Sequence, residues 1–144
     1  MSTEGVMSIV AVGTDGTPTA GRAVAEAAEI ARRFDAKLVL LSAFERSSGP
    51  PPGDDVELQW ATNSAARIGS LLERLEGEFR AQGLDCETRA DEGDPADVLV
   101  RLADECGADL LVIGSKGMER RVLGSVPNGV THKAGCSVLV VKTT

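Results

Sequence analysis

Apolar positions in this chain come in short unbroken runs, and between the runs they recur every three or four residues. Met7 to Val12 is the first run, and it ends in Gly13-Thr14-Asp15-Gly16, the pattern of a buried strand entering a tight turn. Thr17 then offers a capping hydroxyl and Pro18 a first-position proline. Ala20, Val24, Ala27, Ala28 and Ala31 follow at helical spacing, with Arg22, Glu26, Glu29 and Arg33 mostly off that stripe. So small a stripe suits a helix pressed closely onto a sheet.

The alternation continues to the end of the sequence. Lys37 to Phe44 reads as a second buried strand, and Ser47 to Asp55, with prolines at 50 to 52, as a loop too short to link two domains. From Val56 to Gln82 the positions Trp60, Ile68, Leu71, Leu72, Leu75 and Phe79 predict a helix that Gly83 ends. Leu84 to Ala90 alternates apolar and polar as a half-buried edge strand does, with Leu84, Cys86, Thr88 and Ala90 inward. Asp94-Pro95 caps and opens a third helix, Val98, Leu99, Leu102 and Cys106 form its buried stripe, and Gly107 closes it. The fourth strand, Asp109 to Ile113, runs into Gly114-Ser115-Lys116-Gly117. After Gly124-Ser125 a last helix leads to the strand Ser137 to Lys142.

Five strands alternating with four helices, the inner strands apolar on both faces, call for a parallel sheet with helices on both sides. The chain, residues 1–144, is therefore expected to be one α/β domain. Glycine turns fall after strands one and four, where open α/β sheets bind ligands if those two strands flank the reversal of strand order. That condition is not contained in the periodicity.

Composition narrows the partners. The chain has 144 residues, 42% apolar and 26% charged, with a net charge of −7. An acidic chain lacks the basic face that nucleic-acid binding requires. Its apolar runs fall far below the roughly 18 to 20 residues needed to span a bilayer, so no membrane segment is expected. Met1 to Gly5 has no basic region followed by an apolar stretch, which points to the cytoplasm. Cys86, Cys106 and Cys136 are spaced 20 and 30 residues apart with no Cys-x-x-Cys pair, and they read as reduced core thiols. His132 has no ligand-spaced neighbours, so no metal site is expected around it, and it reads as a partly exposed helix residue.

The candidate chemistry lies between the fourth strand and the last helix. Gly114, Gly117 and Gly124 would let backbone approach an anion, and the N–H groups opening the last helix, with the Ser125 hydroxyl, would donate to it. Lys116, Arg120 and Arg121 against Glu119 give this loop a net +2 within a chain of −7. A plain strand-to-helix loop with a serine cap accounts for the same residues, as an ordinary turn aspartate accounts for Asp15. Neither a G-x-x-x-x-G-K-[ST] loop nor a G-x-G-x-x-G after the first strand is present, which excludes Walker ATPases and dinucleotide-binding folds.

Gly114, Gly117, Gly124 and Ser125 together resemble the glycine motif of the universal stress proteins. Ile9 to Asp15, Gly93-Asp94-Pro95, Ala108-Asp109-Leu110 and Ser137 to Lys142 extend the likeness over nearly the whole chain. The resemblance implies strand order 3-2-1-4-5, as in the adenine nucleotide alpha hydrolase-like folds, and an adenine nucleotide as ligand. ATP comes first, with Mg2+ as its companion, and AMP or cyclic AMP after it. By the same likeness Thr14 and Asp15 face the Gly114-Ser115 loop across the sheet. Ala43 meets the adenine, and Val126 and Pro127 join the phosphate end. One departure stands out: six residues separate Gly117 from Gly124, against about nine in the family's ATP-binding pattern. A smaller phosphate cradle follows, or an interaction protein of the same fold that binds no nucleotide. The sequence offers no carboxylate pair for metal-assisted hydrolysis, so a binding protein is expected ahead of a slow ATPase. The apolar run Val138 to Val141, at the rim of the sheet in that order, implies a homodimer paired through Ser137 to Lys142.

Overall fold

The computed structural model describes residues 7–44, 65–115 and 125–143. Its elements are β1 (Ile9–Gly13), α1 (Pro18–Phe34), β2 (Lys37–Phe44), α2 (Ala65–Ala81), β3 (Cys86–Glu92), α3 (Pro95–Cys106), β4 (Leu110–Gly114), α4 (Ser125–Lys133) and β5 (Ser137–Val141). The expected loop at 47–55, Trp60 in the anticipated start of the second helix, and Lys116, Gly117, Arg120, Arg121 and Gly124 lie outside the described residues.

All strand pairs are parallel, and the order is β3-β2-β1-β4-β5. β1 is central: Val10 is level with Leu38 on one side and with Leu110 on the other. The chain builds outward from β1 through β2 to β3, then crosses back to β4 on the opposite side. Strand order thus reverses between β1 and β4, which places the turn after β1 and the end of β4 at the switch point.

The continuous apolar runs are explained by burial on two faces. Val10, Val12, Leu38, Leu40, Leu110 and Val112 point to the side covered by Ala23, Ala27, Ala28 and Ala31 of α1 and Ile68 and Leu72 of α2. Ala11, Val39, Leu41, Leu111 and Ile113 point to the other, under Val98, Leu99 and Leu102 of α3 and Val130 of α4. Each of the large side chains contributes about 1.5–3 kcal/mol by leaving water. On the second face, α3 and α4 meet through small residues: a Cβ added at Gly129 would lie 2.8 Å from the Cβ of Ala96.

Helix ends follow the sequence signals. Thr17 Oγ1 accepts from Ala20 N–H and Asp94 Oδ2 from Asp97 N–H, each with proline next in line. Gly107 closes α3 at φ 72°, and its N–H reaches the carbonyls of Ala103 and Asp104. Asp35 closes α1 in the same left-handed conformation, at φ 53°, without being glycine.

Several strand limits shift from the expected ones. β3 is Cys86–Glu92 and not Leu84 to Ala90, because Leu84 N–H is held by Phe79 C=O in the turn leaving α2. Its inward face ends at Thr88, and Ala90 is exposed. β4 begins at Leu110, since the Asp109 carboxylate accepts from the N–H groups of Ser8 and Ile9 at 2.9 Å and ties off the ends of β4 and β1. For the same reason β1 begins at Ile9 and not at Met7. β5 stops at Val141, one residue short of Lys142, and the chain beyond it is held by Ser115.

All three cysteines are free thiols. Cys86 is buried, which pushes its pKa up to about 11, and burial raises Cys106 and Cys136 as well. At neutral pH they are protonated.

Candidate functional site

The site is built where β1 and β4 end side by side. Thr14 and Gly114 each lie two residues past the paired Val12 and Val112. Thr14 is fixed on three sides: its N–H donates to Leu41 C=O at 2.9 Å, its carbonyl accepts from Ser42 Oγ at 2.6 Å, and its Oγ1 accepts from Gly16 N–H at 3.2 Å. Ser42, 1% exposed, thereby ties the end of β2 to the turn after β1. Asp15 Oδ1 accepts from Thr17 N–H at 3.0 Å and from Thr17 Oγ1 at 2.7 Å. The carboxylate that caps this turn thus also orients the hydroxyl that caps α1. Gly16 turns the chain at φ 85°, a conformation that strains any side chain.

Across the switch point, Ser115 N–H donates to Val141 C=O at 2.9 Å, and Ser115 Oγ accepts from Thr143 N–H at 2.9 Å. Ser115 therefore uses its hydroxyl to tie β4 to the segment after β5. Ser125 opens α4, Val126 is half-buried against the second-face core, and Pro127 is buried. Proline in the first turn removes no N–H that the helix would have used. Ala43 is half-buried near the end of β2, paired with Asp91 of β3. The structure brings Thr14, Asp15, Gly114 and Ser115 to one edge. Lys116, Gly117, Arg120, Arg121 and Gly124 are outside the described residues.

A family model described as the universal stress protein family matches residues 7–142. The chain belongs to the universal stress protein family. A universal stress protein of Mycobacterium tuberculosis is 40% identical over 141 residues, covering 94% of this chain and 96% of that protein. A crystal structure of a universal stress protein in complex with cAMP superposes with a TM-score of 0.76 at 37% identity, covering 96% of this chain and 99% of that one. A family member from Arabidopsis thaliana with AMP bound has a TM-score of 0.70 at 26% identity, covering 95% of this chain and 92% of that one.

Within this universal stress protein the site also contains residues that motif reading missed. Ser42 carried one signal, a lone hydroxyl in the apolar strand Lys37–Phe44. Leu71 and Arg67 of α2 carried none. A Cβ added at Gly16 would meet Leu71 Cδ2 at 2.8 Å and Arg67 Nη1 at 3.7 Å, so both side chains lie against the Asp15-Gly16 turn. Among the described residues, no group of three or more His, Cys, Asp or Glu gathers at metal distance, and no helix is long and apolar enough to cross a membrane.

Proposed function

We propose that this universal stress protein binds an adenine nucleotide at the C-terminal edge of the sheet, with the phosphate toward Gly114 and the start of α4. The observation that carries the reading is the switch point itself. β1 and β4 end side by side there, the turn after β1 is held by the hydrogen bonds of Thr14 and Asp15, and α4 is the next described element after β4. Two relatives described with cAMP and AMP bound support the ligand class. ATP is the triphosphate form of the same reading, with Mg2+ as its companion and the cationic side chains of Lys116, Arg120 and Arg121 against its charge. Occupancy, not turnover, is the proposed output, because Asp15 is engaged with Thr17 in holding the turn. Isothermal titration with ATP, AMP and cyclic AMP tests this. Saturable heat with at least one supports it, and no heat with any returns the chain to an interaction protein without a nucleotide.

The proposed setting is the cytoplasm, where three free thiols persist in reduced form. The proposed assembly is a homodimer through β5. The two rims of the sheet differ: β3 carries the ion pairs Lys37–Glu87 and Arg89–Glu87, whereas Val138 to Val141 of β5 are apolar and only partly buried. Charge protects one edge from pairing, whereas β5, Ser137–Val141, carries no charged side chain along the other. Light scattering on a size-exclusion column should give twice 15.0 kDa, and Val140→Pro should abolish the dimer. A wild-type monomer at micromolar concentration would refute it.

A further inference from the structure

We propose that Arg67 is a base-side ligand contact, its guanidinium stacking on the purine ring. This rests on the adenine nucleotide reading above. The crevice runs across the ends of β2, β1 and β4. In that reading the phosphate takes the β4 side, toward the start of α4, so the heterocycle is left with the β1–β2 side. On that side α2 packs over β2 and β3, and its first described turn leans onto the β1–α1 turn. Arg67 and Leu71 stand one helical turn apart on the same face. Leu71 is half-buried with the first-face core and Arg67 is exposed, so an apolar surface stands beside a planar cation against the Asp15-Gly16 turn. A guanidinium stacks on aromatic faces as an ammonium does not. That pairing matches a flat, electron-rich heterocycle better than a phosphate, which would call for cations at the β4 side.

AMP and adenosine separate base from phosphate. Titrations of wild type, Arg67→Ala and Arg67→Lys with each ligand should show Arg67→Ala weakening both by a similar factor, about tenfold, the scale of one base stacked on a planar side chain. Arg67→Lys should recover little, because charge returns without the planar face. Far-ultraviolet circular dichroism and thermal unfolding of the variants check that the fold is kept. Loss for AMP alone, or wild-type affinity in Arg67→Lys, would make the contact ionic and overturn the proposal. Unchanged affinity in Arg67→Ala would remove Arg67 from the site while leaving the nucleotide reading intact. A wild-type protein that binds ATP or cyclic AMP but neither AMP nor adenosine overturns the proposal alone, and one that binds none of the four defeats the parent reading as well.

Discussion

Ser42→Ala should weaken the protein and its site together. The hydroxyl donates to Thr14 C=O at 2.6 Å from a position that is 1% exposed. Removing it deletes one hydrogen bond and leaves a carbonyl at the end of β1 without its side-chain donor, a loss of about 1–3 kcal/mol for a buried group. The cavity is small, since only an oxygen leaves. Thr14 N–H keeps its bond to Leu41 C=O, so the turn loosens without detaching. Urea denaturation followed by circular dichroism reads the effect. With an m-value of about 1–3 kcal/mol/M, the midpoint should fall by about 1 M at unchanged m. Nucleotide affinity should fall as well, because Asp15 and Gly16 are positioned through Thr14. A midpoint within error of wild type would refute the claim that Ser42 holds this turn. Lost stability with wild-type affinity would place the ligand elsewhere.

Glycines in helices separate packing from propensity. Gly129→Ala should cost about 1–3 kcal/mol by overpacking against Ala96, and Ala96→Gly in the same chain should restore part of it, whereas Gly21→Ala, with nothing within 4 Å, should gain about 1 kcal/mol. Denaturation midpoints of wild type and the three variants decide it, and equal effects at 21 and 129 would contradict the α3–α4 contact. Cys86 gives a pH signature. Its pKa rises from 9.0 to about 11 through burial, so the folded state holds the proton more tightly than the unfolded state. The stability tied to that proton is fully present below pH 9 and is lost as pH rises through about 11. Thermal unfolding should fall more steeply across that window in wild type than in Cys86→Ala, and parallel slopes would count against a buried neutral thiol.

Much of this molecule is legible in its sequence because local patterning and burial agree. The apolar runs of β1, β2 and β4 imply strands buried on both faces, and the caps Thr17-Pro18 and Asp94-Pro95 mark helix starts to the residue. Gly114, Gly117, Gly124 and Ser125 carry the family likeness that the matching model bears out. Strand limits were less legible, because the hydrogen bonds that set them, such as those from Ser8 and Ile9 to Asp109, join residues about 100 positions apart. Only the tertiary structure decided that β1 and β4 are neighbours, which brings the turn after β1 and the end of β4 to one edge of the sheet. Periodicity reports which faces are buried and not which strands touch, because each strand's alternation is the same whichever parallel neighbour it has. The same limit hid Ser42 and Arg67: both bear on the turn after β1 through space, from elements that follow it in the chain, where no spacing rule reaches.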